Sequence, residues 1–421
     1  MWIMKTKAAA LYGKSDIRIR EFELPQITED ELLVKVISNS LCLSTYKAAL
    51  LGEDHKRVPH GIDKNPVITG HEFAGIIIGV GANLKSKFKE GEKFVLQPAM
   101  GLESGYSAGY SYEYFGGNAT YTIIPKIAID LGCVLPYHGG YFANASLAEP
   151  MSCIIGAYNA SYHTIPYFYE HQMGIKEGGN LALLGSAGPM GMGAIDYAIN
   201  GKRKPGLVVV TDINEERLKR AQQLIPEKDA EKKGIKLVYL NTSKDNSKEK
   251  LLELTDHKGY DDVFVFAPVQ ALIEQADDIL GNDGCLNFFS GPTDKNFKVP
   301  FNFYHVHYSS THIVGTSGGS TGDMMESLIL SSEGKINPSY MITHIGGLNA
   351  APRTILNLPS IPGGKKLIYP HIEMELTAIS DFEKLGESNV LFRELGRIVK
   401  ENNDLWCQKA EEYLLSYYNV L

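Results

Sequence analysis

A glycine-rich turn between an apolar run and a helical segment constrains the fold of this chain more than any other feature. Residues 180–184 (NLALL) are apolar, residues 192–200 favour a helix, and residues 185–191 between them read GSAGPMG. A strand that enters a helix through small residues lets backbone N–H groups at the helix N-terminus approach a pyrophosphate closely. Ser186 stands at the first glycine of the G-x-G-x-x-G pattern and is small enough to permit this approach. The turn predicts a dinucleotide site formed by Gly185, Ser186, Gly188, Pro189, Met190 and Gly191.

The acidic residue after the next apolar run bears on which dinucleotide binds. Residues 207–211 (LVVVT) lead directly into Asp212. A carboxylate at this point accepts hydrogen bonds from the adenosine ribose and repels a 2′-phosphate, which favours NAD(H) over NADP(H). Arg217 follows closely and leaves NADP(H) open, whereas the basic residues 202–204 precede the strand and are poorly placed for a 2′-phosphate. The alternative is a turn that binds no nucleotide, with Asp212 capping a helix.

Strand and helix patterns alternate from about residue 155 to residue 340. Apolar runs at 236–240, 262–266, 285–289 and 312–315 continue the series, which predicts an α/β domain built on a doubly wound parallel sheet. Residues 1–154 instead contain short strand-like runs separated by glycine and proline. The Gly/Ser/Tyr-rich stretch 100–118 within them is typical of an exposed loop. The last segment, 341–421, contains one strand-like run and then two amphipathic helices, a C-terminal helical extension.

Charge and cysteine content exclude several classes of protein. Lys and Arg number 41 and Asp and Glu 49, a net charge of −8, which argues against a nucleic-acid binder. No apolar run reaches the roughly 18 residues of a membrane span, and residues 1–13 lack the apolar core of a secretory signal. The five cysteines are scattered, so disulfides are not expected and a reducing cytoplasm is the predicted location.

Four residues in the first 154 have the side chains of a catalytic zinc site. They are Cys42, His71, Glu72 and Glu149. Thiolate, imidazole and carboxylate are the usual ligands of such a site, in which three protein ligands leave one position open. These residues are not clustered in sequence, however. On spacing alone, a buried cysteine and a hydrogen-bonded His–Glu pair are the favoured interpretation.

Taken together, these motifs resemble the zinc-dependent medium-chain alcohol and polyol dehydrogenases. The matching features are Cys42-x-Ser44, the run Gly70-His71-Glu72, Ala148-Glu149-Pro150 and the glycine turn, in the order in which that family has them. The resemblance covers about residues 5–370. It implies a β-rich, GroES-like catalytic domain in residues 1–154, a Rossmann domain in 155–340, and a return of the chain to the catalytic domain after residue 340.

The resemblance also implies a role for each candidate residue. Cys42, His71 and Glu149 match zinc ligands, and Glu72 matches a carboxylate that binds zinc directly or approaches it as ligands exchange. Ser44 matches the hydroxyl that relays the substrate proton toward the cofactor ribose. Lys47 stands where a histidine often ends that relay, so the relay beyond Ser44 is open. The four cysteines that hold a structural zinc in many relatives are absent from residues 97–118, which predicts one zinc per subunit.

Further blocks of sequence, including the C-terminal extension, resemble the sorbose 1-phosphate reductase branch of this family. That branch implies reversible reduction of a ketose phosphate, L-sorbose 1-phosphate, to a hexitol phosphate, D-glucitol 6-phosphate. Candidate cations for the phosphate lie between the first two metal-ligand candidates, at Lys47, His55, Lys56, Arg57 and His60. A solvated basic loop is the alternative for them. The rival functions are a sorbitol-type dehydrogenase of unphosphorylated polyols, a metal-free quinone or enone reductase, and a non-catalytic nucleotide-binding scaffold. A homo-oligomer, dimer or tetramer, is expected.

Overall fold

The computed structural model describes residues 4–165, 167–243 and 247–421. These residues form two compact units. Unit 1 comprises the chain up to Glu149 together with Ile342–Leu421, and unit 2 comprises Pro150–Met341. Both ends of the chain therefore belong to unit 1. The domain limits at residues 154 and 340 stay a prediction.

The described strands in chain order are β1 (Lys5–Gly13), β2 (Asp16–Glu23), β3 (Leu32–Ser40), β4 (Val67–Ile68), β5 (Glu72–Val80), β6 (Lys93–Leu96), β7 (Tyr121–Ile124), β8 (Val134–Pro136), β9 (Tyr162–Ile165), β10 (Glu170–Met173), β11 (Asn180–Leu184), β12 (Leu207–Asp212), β13 (Lys236–Asn241), β14 (Tyr260–Val265), β15 (Leu280–Phe288), β16 (His312–Val314), β17 (Ile342–Gly347), β18 (Lys365–Tyr369) and β19 (Thr377–Ala378).

The described α-helices are α1 (Leu43–Leu51), α2 (Lys126–Asp130), α3 (Phe142–Ser146), α4 (Ala148–Ala160), α5 (Pro189–Asn200), α6 (Glu215–Leu224), α7 (Glu227–Glu231), α8 (Ser247–Glu253), α9 (Gln270–Asp278), α10 (Phe303–Tyr308), α11 (Thr321–Ser332), α12 (Ala351–Leu356), α13 (Phe382–Gly386), α14 (Val390–Glu401) and α15 (Gln408–Tyr417). None of these helices is long and apolar enough to cross a lipid bilayer.

Unit 2 is built on a six-stranded parallel sheet in the order β13-β12-β11-β14-β15-β16. Its central strands are continuous apolar runs because helices cover both faces of such a sheet. Leu181 to Leu184 on β11 are all buried, and so are Val208 to Val210 on β12. Since β11 and β12 are parallel neighbours, the glycine turn and Asp212 follow adjacent carboxyl ends of the sheet.

Unit 1 is organised by strand β3, which pairs with β5, β7 and β18 within a larger mixed sheet. Ser40, at the end of β3, is opposite Glu72 on one side and Leu367 on the other. This register brings the start of β5 and the start of β18 together across the end of β3. It thereby joins residues that are almost 300 positions apart in the sequence.

The composition of residues 100–118 predicts an exposed loop, and the predicted exposure is wrong. The stretch contains no helix or strand, but Ala108, Tyr110 and Phe115 are buried. Phe115 packs edge-on against Phe73 of strand β5, with ring centroids 6.2 Å apart. Aromatic side chains therefore fold this glycine-rich segment into the core of unit 1.

The C-terminal extension contains the two amphipathic helices that its apolar spacing predicts. Leu391, Leu395, Ile398 and Val399 on α14 are buried, as an apolar stripe requires. The sequence does not indicate that Glu411, on α15, is completely buried as well. Its carboxylate accepts hydrogen bonds from the backbone N–H groups of residues 142 and 143, at 2.6 and 2.8 Å.

Candidate metal and cofactor sites

Three of the four predicted metal-ligating residues lie together in unit 1. Cys42 precedes helix α1 directly, and His71 and Glu72 stand at the start of strand β5. Among the described residues, the Cys42 thiol, a His71 ring nitrogen and a Glu72 carboxylate oxygen lie within 4.8 Å of one another. His71 and Glu72 are buried. One thiol, one imidazole and one carboxylate at this spacing fit a zinc ion.

A buried lysine holds the Glu72 carboxylate. Lys365, at the start of β18, donates hydrogen bonds to both carboxylate oxygens at 2.5 and 2.7 Å, and Ser40 donates a third. The lysine side chain is only 6% exposed, so this is a fully buried ion pair. Sequence reasoning missed Lys365. The available signal was a pair of lysines at the head of an apolar run, KKLIY.

The charges of this cluster set the protonation states of its members. Burial alone would raise the pKa of Glu72, but the Lys365 ammonium, His71 and the hydrogen bonds bring that pKa below its usual value. Burial lowers the pKa of His71, which keeps the imidazole neutral, as a metal ligand must be. Burial and the Glu72 charge raise the pKa of the Cys42 thiol. A dication would reverse that effect by stabilising the thiolate.

Glu149, the fourth predicted ligand, lies outside the group of three. It is the second residue of α4 and is buried. Burial and the charge of Glu72 raise its pKa to about 7, and His71 opposes that shift. The Glu149 carboxylate therefore lies close enough to His71 and Glu72 to interact with both electrostatically.

A chain of hydroxyl groups adjoins the Cys42 sulfur. Ser44 Oγ donates to Cys42 Sγ at 3.0 Å, and the Tyr110 hydroxyl donates to Ser44 Oγ at 2.7 Å. The same Tyr110 oxygen lies 3.4 Å from His71 Nε2, while Thr45 Oγ1 lies 3.4 Å from His71 Nδ1. Sequence reasoning missed Tyr110 because it lies in the segment whose composition predicts an exposed loop.

The basic residues between Cys42 and His71 fall into two groups, those that are partly buried and those that are exposed. The Arg57 guanidinium lies over the Tyr110 ring at 5.1 Å, and the His55 ring stacks on that ring with centroids 5.9 Å apart. Burial lowers the pKa of Lys47, on α1, and the Cys42 charge opposes that shift. Lys56 and His60 are exposed, and His60 contacts Glu53 at 3.3 Å.

In unit 2, the glycine turn has the geometry that close backbone approach requires. Gly185 has a φ of +67°, which favours glycine. A Cβ on Gly191 would lie 1.7 Å from the Ser186 carbonyl oxygen, whereas a Cβ on Gly188 would meet nothing within 4 Å. Gly188 caps helix α5, and Pro189 follows as its first residue. The backbone at Gly188 therefore faces open space at a helix N-terminus, a cradle that fits a pyrophosphate.

Asp212 ties the turn to the following loop. Its carboxylate accepts hydrogen bonds from the backbone N–H of Ala187 at 3.1 Å and of Asn214 at 2.9 Å. The Arg217 backbone N–H bonds to Asn214, which caps α6. Lys202, from the basic run before β12, forms an ion pair with Glu326 at 2.6 Å. This pairing agrees with the prediction that residues 202–204 are poorly placed for a 2′-phosphate.

Comparison with known proteins places this pair of sites in one family. The zinc-binding dehydrogenase family matches residues 189–333, and the alcohol dehydrogenase GroES-like domain matches residues 28–136. A mannitol-1-phosphate 5-dehydrogenase of Aliivibrio fischeri is 68% identical over 99% of both chains. An L-sorbose 1-phosphate reductase of Klebsiella pneumoniae is 43% identical over 98% of both chains.

Among solved structures, a zinc-binding dehydrogenase of Sinorhizobium meliloti 1021, crystallised with NADP, superposes with a TM-score of 0.70 at 20% identity. The match covers 87% of this chain and all of the other. At that identity the likeness concerns the fold. The chain thus has the two-unit α/β fold of the medium-chain dehydrogenases. It belongs to the zinc-dependent medium-chain alcohol and polyol dehydrogenase family.

Family membership confirms several of the predictions made from the sequence. The GroES-like and Rossmann folds are confirmed, and so is an activity on CH–OH groups. Zinc and a nicotinamide cofactor belong to this family, as do small sugar or polyol substrates. The assignment of individual site residues, the choice between NAD(H) and NADP(H), the number of zinc ions, the oligomeric state and the cytoplasmic location stay predictions.

Proposed function

We propose that this protein interconverts a hexitol phosphate and a ketose phosphate with NAD(H). The observation that carries the proposal is the buried cluster of Cys42, His71 and Glu72, with the Glu149 carboxylate near it, in a chain whose end-to-end relatives are named for sugar-alcohol phosphates. The two relatives differ in the position of the reacting carbon. The name of one places it at C5 of a 1-phosphate, whereas L-sorbose 1-phosphate carries its carbonyl next to the phosphate-bearing carbon.

In this proposal Cys42, His71 and Glu149 hold the zinc ion, and Glu72 stands beside it. Lys365 and Ser40 already direct three hydrogen bonds to the Glu72 carboxylate, which leaves few of its oxygen lone pairs for a metal. When bound, zinc polarises the carbonyl as a Lewis acid and the reduced nicotinamide supplies the hydride. The positive charge of Lys365 balances the negative charge of Glu72 throughout the reaction.

The chain's own hydroxyl groups handle the proton. Ser44 is the candidate proton carrier, because it bonds to a metal-ligating sulfur on one side and to Tyr110 on the other. Burial raises the pKa of Tyr110 above its usual value, so its hydroxyl stays a donor and orients Ser44. Lys47 is the further catalytic candidate on the same helix. Its position three residues after Ser44 places both on one helical face.

The cofactor is assigned to the glycine turn. Gly185, Ser186, Gly188, Pro189, Met190 and Gly191 would surround the pyrophosphate, and Asp212 would accept hydrogen bonds from the adenosine ribose. Gly188 leaves the required space, and Asp212 is held at the adjacent strand end by two backbone N–H groups. Arg217 is the residue through which NADP(H) could be tolerated.

Substrate assays test this proposal directly. Reduction of NAD⁺ would be measured with D-mannitol 1-phosphate and with D-mannitol, and oxidation of NADH with L-sorbose 1-phosphate and with L-sorbose. We expect the phosphorylated member of at least one pair to have the higher kcat/KM by at least about tenfold, the equivalent of 1.4 kcal/mol. Equal rates within both pairs would instead indicate a general polyol dehydrogenase.

Metal analysis tests the ligand assignment. Cys42→Ala, His71→Ala and Glu149→Gln should lose zinc and activity together, because each removes one of three ligands. Glu72→Gln should retain zinc. Cys133→Ala is the matched control, since Cys133 is a buried thiol of the same unit outside the group of three. Full zinc occupancy in Glu149→Gln together with loss of zinc in Glu72→Gln would exchange the roles of the two carboxylates.

A further inference from the structure

Three cationic side chains act electrostatically on one imidazole in unit 1. Burial first, and then the charges of Arg57, Lys56 and Lys47 in that order, lower the pKa of His55 to about 4. His55 is therefore neutral, and it lies in a region of positive charge. Of the three cations, Lys56 is exposed, while Arg57 and Lys47 are partly buried. Gathering like charges is unfavourable unless an anion compensates them.

Two acidic residues of the same loop contact groups other than Arg57. Glu53 accepts hydrogen bonds from the backbone N–H groups of Gly61 and Ile62 and contacts His60. Asp54 forms an ion pair with Lys14 at 2.6 Å. In the part of the chain that the structure describes, no carboxylate forms an ion pair with the Arg57 guanidinium, which leaves its planar donor fork available to a ligand.

Arg57 is held in place relative to the metal-ligating group. Its carbonyl accepts a hydrogen bond from Ser111 Oγ at 2.6 Å, and its guanidinium lies over the ring of Tyr110, the residue before Ser111. The hydroxyl at the end of that ring reaches Ser44 and His71 Nε2. One tyrosine ring therefore separates the Arg57 guanidinium from the residues assigned to zinc and to proton transfer.

We infer that Arg57 forms the subsite that binds the phosphate group of the substrate. The inference depends on the proposed function, since it assigns the phosphate of that substrate to a place. An arginine suits the role because its fork donates two parallel hydrogen bonds to phosphate oxygens. The Tyr110 ring acts as the spacer that sets the distance between the phosphate and the reacting carbon.

Selectivity for the phosphate ester is the quantity to measure. The ratio of kcat/KM for the hexitol phosphate to that for the unphosphorylated hexitol should fall at least about 30-fold in Arg57→Gln, because a charge-assisted bidentate contact is lost. The loss should lie in KM rather than in kcat. The ratio for Arg57→Lys should lie between those of the wild type and Arg57→Gln, since lysine keeps the positive charge and lacks the planar donor fork.

Lys64→Gln is the matched control, because Lys64 is an exposed cation in the same segment between Cys42 and His71. It should leave the ratio unchanged. An unchanged ratio in Arg57→Gln, with folding verified by circular dichroism and an unchanged Tm, would overturn the subsite. A fall in kcat at constant KM would also overturn it, because that result assigns Arg57 to the chemical step.

A second readout separates the subsite from the proposed function. Inorganic phosphate is used as an inhibitor competitive with whichever alcohol the enzyme turns over, at saturating NAD⁺ so that the cofactor site is filled. Its inhibition constant should rise at least about tenfold in Arg57→Gln and stay constant in Lys64→Gln. If the wild type shows no preference for phosphate esters, the proposed function fails. The absence of any phosphate inhibition would then overturn the subsite as well.

Discussion

The glycine turn of unit 2 and the buried charge cluster of unit 1 are two candidate sites with opposite construction. The turn is contiguous in sequence, and its shape is set by how closely backbone atoms approach one another. The cluster consists of Cys42, His71, Glu72 and Lys365, which come from distant parts of the chain. The protonation states of these residues are set by their charges and their burial. The comparison shows that one added methyl group should break the first site, whereas the second should fail when a charge loses its partner.

The largest expected effect is on the turn. Gly191→Ala places a Cβ 1.7 Å from the Ser186 carbonyl oxygen. Because backbone must move to relieve this contact, we expect destabilisation of about 4 kcal/mol or more, at the upper end for single substitutions. Urea denaturation measures it. Gly188→Ala is the control, with nothing within 4 Å of the new Cβ. It should fold normally and bind NAD⁺ more weakly, and equal stabilities of the two variants would show that the close contact at Gly191 is relieved without cost.

Lys365→Met tests the charge cluster. It leaves the Glu72 carboxylate buried without its cation, which should cost about 3–5 kcal/mol of folding free energy. The free energy of unfolding of the zinc-free protein is the appropriate measurement. The double variant Glu72→Gln with Lys365→Met removes both charges and should recover much of the loss. If the double variant is no more stable than Lys365→Met alone, the ion pair is not the source of the effect.

Glu411 is a buried carboxylate that forms no ion pair with any residue the structure describes. Burial raises its pKa to about 8, although hydrogen bonds from Tyr369 and from two backbone N–H groups oppose the shift. The folded protein then holds a proton that the unfolded chain releases, so stability falls as pH rises from about 4.5 to 8 and levels off above. The free energy of unfolding of Glu411→Gln, taken relative to that of the wild type, should therefore rise by a few kcal/mol as the pH is raised from 5 to 9.

Chemical denaturation at a series of pH values tests this window. Glu412→Gln is the matched control, because Glu412 is the exposed neighbour on the same helix. Its stability relative to the wild type should change much less with pH, because the Glu412 charge contributes less to the Glu411 shift than burial does. A Glu411→Gln variant that is destabilised by the same amount at pH 5 and pH 9 would show that this carboxylate is ionised throughout.

The smallest expected effect concerns cofactor choice. Asp212→Ser removes the charge that repels a 2′-phosphate, so the ratio of kcat/KM for NADPH to that for NADH should rise about tenfold, or 1.4 kcal/mol. Asp212 also holds Ala187 and Asn214, and a small loss of stability should accompany the change. An unchanged ratio would show that Asp212 does not set the preference between NADH and NADPH. Arg217→Gln would then be the next variant to measure.

The two sites also differ in how far the sequence alone could predict them. The turn is predictable residue by residue, because a strand, small residues, a helix and an acid follow one another within about 30 positions. Lys365 was missed because only the register of β3 with β5 and β18 brings it to Glu72. Tyr110 and Glu411 were missed because glycine-rich composition and helical charge ordinarily indicate exposure.

The ion pair between Glu72 and Lys365 has a consequence for how the molecule is made. The two residues are separated by 293 positions, and all of unit 2 is translated between them. Domains generally fold as the ribosome releases them, at about 5–20 residues per second. Cys42, His71 and Glu72 therefore leave the ribosome well before their charge partner exists. The sheet around β3 and the charge balance of the candidate metal site are therefore completed only after Lys365 and strand β18 have been made.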